Sequence, residues 1–266
     1  MASDSALLQS LIYTAQRAGG AIMAMYATDF AVRDKSDASP VTAADEAAEK
    51  IILADLAAIA PNVPVVAEEA VAAGRVPAIS GSSNAERFFL VDPLDGTREF
   101  ISHRDEFTVN VALIERGRPI LGVVFAPARR ELYWGDVNLG KAGHIDADPD
   151  GTMPSMGTAI AARRAPADGL TAVASRSHRT PETDAFLANY SVKEFRSIGS
   201  SLKFCLVASG EADVYPRIGT TMEWDTAAGH AVLVAAGGRM TGLEGEAFTY
   251  GKPGFRNGNF IAWGRE

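Results

Sequence analysis

A single cysteine stands in this chain, at position 205, so no disulfide can form within it. That fits a reducing compartment. Cys205 lies in the apolar run Phe204–Ala208, which reads as packing rather than as a nucleophile or metal ligand. Long hydrophobic runs are missing too; none approaches the ~18 apolar residues that cross a bilayer. The N-terminus carries Asp4 where a signal peptide would need a basic segment ahead of an apolar one. A cytoplasmic protein is expected, with peripheral attachment to the cytoplasmic face of the inner membrane left open. Positive charge is also scarce: 25 Lys and Arg face 33 Asp and Glu, a net −8. This argues against general nucleic-acid or acidic-membrane binding. An anionic substrate would need local positive charge, from metal ions or a few placed basic residues.

What is present suits a globular protein. The 266 residues, 47% of them hydrophobic, suffice for a large core without staples, as one large or two medium domains. Residues 5–27 predict a helix, with Leu7, Leu8, Leu11, Ile12, Ala15, Ala18, Ile22 and Met25 at helical spacing. Val41 to Ile59 predicts a second, with Thr42 as N-cap and Asp45 three residues on. Short strands are expected at Val63–Ala67, Arg87–Val91, Phe107–Glu115, Ile120–Ala126 and Glu131–Trp134. Gly135–Pro154 is the segment with the least pattern and the best candidate for a boundary. Beyond it, strands and helices alternate. The expectation is an α+β N-terminal half (1–155) with most of the acidic site, followed by an α/β half (156–266) that completes it.

The chemistry concentrates in Asp92-Pro93-Leu94-Asp95-Gly96-Thr97. This segment follows a hydrophobic strand, so its side chains emerge at a strand end. Two carboxylates flank a proline turn, and the Leu94 carbonyl lies between them. Gly96 and Thr97 then open a turn whose N–H groups suit an anion. Hard oxygen donors without His or Cys favour Mg²⁺ or Mn²⁺ over Zn²⁺. Glu68-Glu69 end another buried strand, Asp225 heads an apolar helix, and Asp45 sits in a capping position. Each has a plainer reading: the turn as a helix cap, Glu68-Glu69 as surface charge, Asp225 as a macrodipole partner. Together they make four acidic stations at the edges of apolar elements.

The Asp92–Thr97 segment, the Glu68-Glu69 strand end and the Trp224–Gly229 segment resemble the signatures of the inositol monophosphatase superfamily. Lys35-Ser36-Asp37, Ser39–Asp45, Glu106-Phe107-Thr108-Val109-Asn110, Ser197–Cys205 and Tyr215-Pro216-Arg217 are similar to the CysQ-type 3′(2′),5′-bisphosphate nucleotidases within it. The likeness covers nearly the whole chain and is loosest at 70–86 and 135–170. It implies a layered αβαβα sandwich of the sugar phosphatase type. It implies one Mg²⁺ on Glu68, Asp92 and the Leu94 carbonyl, a second on Asp92, Asp95 and Asp225, and a third, looser ion near Glu68. Thr97, hydrogen-bonded to Asp45, would orient and deprotonate a water, and the Gly96 and Thr97 N–H groups would hold the phosphate. Ser200, Lys203, Arg217 and His178 would line the nucleotide. The implied reaction is Mg²⁺-dependent removal of the 3′-phosphate of adenosine 3′,5′-bisphosphate, sensitive to lithium and linked to sulfate assimilation. Alternatives are an inositol or fructose bisphosphate phosphatase with the same metals, and a non-catalytic nucleotide- or metal-binding regulator.

Overall fold

The structure, a computed structural model, describes all residues except 1–3, 29–31, 35–39, 78, 80–86, 153–154 and 175–179, with the backbone path alone at 32–34 and 40–42. Two long helices come first, α1 (Asp4–Tyr26) and α2 (Ala43–Ile59), with an antiparallel ribbon between them, β1 (Val32–Asp34) and β2 (Pro40–Thr42). The helix expected from Val41 therefore starts two residues later, because Val41 and Thr42 pair with Arg33 and Val32. Seven strands then form one sheet in sequence order. They are β3 (Val65–Ala67), β4 (Arg87–Asp95), β5 (Thr108–Glu115), β6 (Arg118–Ala126), β7 (Glu131–Asp136), β8 (Lys141–Asp146) and β9 (Thr158–Ile160). Among the described residues of this sheet, only the β3–β4 pair is parallel. Short helices follow two of these strands, α3 (Glu68–Ala72) and α4 (Thr97–Ile101).

The stretch read as patternless from Gly135 holds regular structure. It completes β7 and contains all of β8, which pairs with β7 from Glu131↔Asp146 to Asp136↔Lys141. Its repeated Gly and Asp residues mask the strand pattern, since Gly143 and His144 break the apolar alternation.

The C-terminal part builds a five-stranded sheet from β10 (Leu170–Ala174), β11 (Val192–Ser197), β12 (Val214–Arg217), β14 (Arg239–Thr241) and β16 (Phe260–Trp263). Its order is β11-β10-β12-β16-β14. A small ribbon, β13 (Thr221–Met222) with β15 (Arg256–Asn257), stands beside it. The helices are α5 (Pro181–Leu187), α6 (Leu202–Ala208) and α7 (Glu223–Ala235).

Side-chain alternation along the strands sorts these pieces into layers. Phe89, Val91, Val109, Val111 and Leu113 face α1 and α2. Phe88, Leu90, Ala112 and Ile114 face the other way, onto α6 and α7. That central helical layer also covers one face of the five-stranded sheet through Val173, Tyr215 and Phe260. Leu187 of α5 packs on the outer face, against Leu170, Val214 and Ile261. The order of layers is helix, sheet, helix, sheet, helix. Cys205 is fully buried in the central layer, as a packing residue.

Candidate active site

The acids reach one place because of strand register. Phe88, Leu90 and Asp92 share the face of β4 that looks toward the central helices. Strict alternation would send Asp95 to the opposite face. A bulge prevents this. Asp92 pairs with Asn110 and Asp95 with Thr108, so three residues of β4 span what two residues of β5 span. The extra residue turns Leu94 into the core beside α1 and α2 and leaves Asp95 on the cleft side. β3 runs parallel to β4 with Ala67 level with Val91, so Glu68 and Asp92 follow at the same end of the sheet. Asp225 enters from the first turn of α7, and the buried Asp45 from the first turn of α2.

Glu68, Asp92, Leu94, Asp95, Gly96, Thr97, Ser200, Lys203, Arg217 and Asp225 all line one cleft of about 330 Å³. Asp45 does not line it, though its charge acts on Asp92. His178 lies outside the described residues, as do Lys35, Ser36, Asp37 and Ser39. The side chain of Thr42 is likewise not described.

Electrostatics in this cleft are severe. Burial pushes the Asp92 carboxyl well above the usual range, and the neighbouring charges of Glu68, Asp95, Asp225 and Asp45 push it further. Asp225 is raised in the same way, first by burial and then by Asp95 and Glu68. Asp95 is pushed up to about 6 by burial, against the pull of Lys203 and of the Ser201 N–H. All three of these acids lean on backbone donors, Asp95 on the Ser201 N–H just named. Asp92 Oδ1 accepts from the Leu94 N–H at 3.0 Å, and Asp225 Oδ2 from the Met222 N–H at 2.8 Å. Asp225 thus caps the first turn of its own helix, a role beyond the macrodipole partner expected of it. Among the described residues, no three His, Cys, Asp or Glu side chains converge on one point at ligand distance.

Gly96 has φ 92° and ψ 40°, the left-handed conformation that lets β4 turn directly into α4. The N–H groups of Gly96 and Thr97 open that helix and have no intrahelical acceptor. The Thr97 hydroxyl donates to the Leu94 carbonyl at 3.3 Å.

The opposite wall is basic. Lys203 is buried, and its ammonium donates to the carbonyls of Ile198, at 3.4 Å, and Ser200. Burial lowers its pKa to about 8, with Asp95 opposing and Arg217 adding to the fall. Arg217 donates from Nη2 to the Thr220 carbonyl at 3.4 Å, while its Nε is buried without a partner. Ser200 has φ 45°, and its hydroxyl is buried without a partner beside the cleft. A partnerless buried hydroxyl and guanidinium nitrogen next to a cavity are groups that a polar ligand would satisfy.

The match to known proteins agrees with this geometry. The model of the inositol monophosphatase family matches residues 4–265. The chain belongs to that family. It is 42% identical over 258 residues to 3′(2′),5′-bisphosphate nucleotidase CysQ of Salmonella typhimurium, covering 94% of this chain and 98% of that one. Against the same protein of Escherichia coli (strain K12) the identity is 43%, with the same coverage. The crystal structure of CysQ from Bacteroides thetaiotaomicron, a bacterial member of the family, superposes with a TM-score of 0.79 at 35% identity, covering 98% of both chains.

Some residues at the site carry no role in the sequence reading. Glu49 of α2 accepts from the N–H groups of Glu69, at 2.9 Å, and Ala70, at 3.2 Å, and so fixes the helix that presents Glu68. Its position, four residues after Asp45 on the same helix, is the signal for it. Thr108, Asn110 and Ser201 form a buried polar cluster against Asp95. The signal there is the pair of polar residues at 108 and 110 on a strand face that is otherwise apolar.

Proposed function

We propose that this protein is a metal-dependent 3′(2′),5′-bisphosphate nucleotidase that hydrolyses the 3′-phosphate of adenosine 3′,5′-bisphosphate to give AMP and phosphate. The observation that carries the reading is the split of charge across one cleft: buried acids on one wall, Lys203 and Arg217 on the other. Identity of 42–43% to curated nucleotidases over nearly the full chain supports it. The family's role in clearing this compound during sulfate assimilation, and its lithium sensitivity, belong to the same proposal.

The donor set fits divalent cations. Asp92, Asp95 and Asp225 are buried acids whose ionisation is opposed by burial and by one another. Local positive charge is what would let them all ionise at neutral pH. All the donors are oxygens, which favours Mg²⁺, with Mn²⁺ as the alternative. Glu68, Asp92 and the Leu94 carbonyl would hold one ion; Asp92, Asp95 and Asp225 would hold a second; Glu68 would help with a third. Ions held there supply Lewis-acid charge for an in-line displacement at phosphorus. The protein's own groups do the rest. Thr97 orients the attacking water by its hydroxyl, and Asp45 accepts the proton passed on from it. The N–H groups of Gly96 and Thr97 hold the scissile phosphate. Arg217 and Lys203 hold the phosphate that is not cleaved, and Ser200 and His178 the nucleoside. The N-terminal half, to about 155, would carry most of the metal ligands, and the C-terminal half would complete that set with Asp225 and make the nucleotide contacts.

The test is phosphate release from adenosine 3′,5′-bisphosphate, 3′-AMP, inositol 1-phosphate and fructose 1,6-bisphosphate at equal concentration, with Mg²⁺ and then with EDTA. The bisphosphate nucleotide is expected to lead, and EDTA to stop release. Preference for inositol 1-phosphate would replace the reading with a sugar phosphatase, and no release from any would make the protein a binding regulator.

A further inference from the structure

The segment Glu106–Asn110 touches both walls of the cleft, and the reaction proposed above gives it no task. Thr108 and Asn110 continue the face of β5 that carries Ala112 and Ile114 into the central layer, and both are fully buried. At the end near the cleft this face turns polar. Ser201 lies against it. The Ser201 hydroxyl donates to Asn110 Oδ1 at 2.6 Å, and 2.8 Å separates it from the Thr108 hydroxyl. Serine has one hydroxyl proton, so Thr108 must be the donor in the second bond. Asn110 then presents its amide nitrogen to Asp95 Oδ2 at 3.5 Å. The chain runs one way, Thr108 to Ser201 to Asn110 to Asp95, and ends on an acceptor-only carboxylate.

Just before β5, Glu106 does a related thing with its side chain. Its Oε2 accepts from the Gly199 N–H at 2.8 Å. Its backbone is gripped as well. A Cβ on Gly199 would stand 2.7 Å from the Glu106 carbonyl, and one on Gly96 would stand 3.2 Å from the same atom. The turn that opens α4 and the loop that precedes α6 therefore both close on one residue.

We infer that Glu106, Thr108 and Asn110 are positioning residues: they fix the Gly199–Ser201 loop against Asp95 and Gly96, and so set the spacing between the acidic wall and the nucleotide wall. Ser200 is held left-handed, with its hydroxyl aimed inward, because the residues on either side of it are tied to this strand. The inference rests on the nucleotidase reading only for what the loop contacts.

The test is amide hydrogen exchange at residues 199–201 in the metal-loaded protein without nucleotide, paired with kcat and KM for adenosine 3′,5′-bisphosphate. Glu106→Ala should speed exchange at these amides about tenfold or more, as expected for losing a hydrogen bond to a charged group. KM should rise about tenfold, with a smaller change in kcat. Glu106→Gln, which keeps an acceptor, should recover much of both. Thr108→Val should loosen the loop and Thr108→Ser should not; this pair carries the test if Glu106→Ala fails to fold. Unchanged exchange in Glu106→Ala and Thr108→Val would overturn the inference. So would faster exchange spread evenly over α6, α7 and the sheet, which marks a general loss of stability. Because exchange is read without nucleotide, a wild type that leaves the bisphosphate intact would remove the nucleotidase reading and leave this one standing.

Discussion

The two walls of the cleft are built from different layers and differ in sign. The wall from the seven-stranded sheet supplies Glu68, Asp92 and Asp95; the opposite wall takes Arg217 from β12 of the five-stranded sheet and Lys203 from α6 of the central layer. Asp225 comes from α7 of the same central layer. On the acidic wall the groups work against each other: burial and mutual repulsion raise Asp92 and Asp225. On the basic wall the cations are already tied to backbone carbonyls and retain spare donors. The difference teaches that the walls serve different partners. An acidic cluster that repels itself is set up for added cations, whereas a tethered guanidinium with a free nitrogen is set up for a fixed anion.

The strongest way to break this comparison is to neutralise its most crowded acid. Asp92→Asn should abolish turnover, because the proposed ions would lose the carboxylate they share. The same change should stabilise the metal-free protein. A carboxyl raised in the folded state keeps a proton that the unfolded chain releases, so metal-free stability falls as pH climbs from the ordinary carboxylate value through the raised one. For Asp95 that window runs from about 4 to about 6. In EDTA at pH 8 the substituted amide has no charge to repel its neighbours, so Tm should rise, by about 2–4 °C for each kcal/mol relieved. Retained activity would sink the shared-ligand assignment, and a lower Tm in EDTA would sink the repulsion argument.

Next in size is the water-handling pair. Thr97→Ala and Asp45→Asn should each lower kcat by ~10²–10⁴-fold with little change in KM, the usual cost of losing general-base help. Steady-state kinetics with saturating Mg²⁺ measures it. If both keep wild-type kcat, Thr97 and Asp45 fall back to local structural roles: a hydroxyl on the Leu94 carbonyl and an acid in the first turn of α2.

Much of this was legible in the sequence, and particular residues show why. The Asp92–Thr97 segment follows an apolar strand, so a strand-end site could be read without coordinates. The bulge that keeps Asp95 on the side of Asp92 could not, because it depends on which residues of β5 lie opposite. The same holds for the tie between Glu106 and Gly199, which lie 93 positions apart in the chain. β8 escapes the sequence reading because Gly143 and His144 interrupt its apolar pattern, leaving only Ala142 and Ile145 to reach the cores, and its pairing with β7 is not visible in its own residues. Burial decided the rest. Lys203 is legible only as a candidate nucleotide contact beside an apolar run; that it is buried and holds the Ile198 and Ser200 carbonyls comes from the fold.

A smaller effect separates the two phosphates. Arg217→Ala should cut kcat/KM for adenosine 3′,5′-bisphosphate by about 10–100-fold, the worth of one charge-assisted hydrogen bond. It should barely affect 3′-AMP, which lacks the second phosphate. Equal losses on both substrates would mean that Arg217 supports the acidic wall, where it already favours the ionised form of Asp225.

The smallest expected effect is one of pH, and it distinguishes Lys203 from Arg217. Lys203 has a pKa lowered to about 8, chiefly by burial, so it loses its charge within a range where the enzyme can be assayed. The pH dependence of kcat/KM reports groups of the free enzyme. If the Lys203 ammonium meets the uncleaved phosphate, the ratio of kcat/KM for the bisphosphate to that for 3′-AMP should fall as pH rises through about 8. Taking the ratio cancels titrations that act on the shared chemistry. Arg217 stays protonated throughout, so it leaves a pH-independent remainder of the preference. Lys203→Met should flatten the profile, with the preference held at the lower level seen for the wild type at high pH. A wild-type ratio that stays level from pH 7 to 9 would confine Lys203 to holding the 198–200 carbonyls and leave the second phosphate to Arg217 alone.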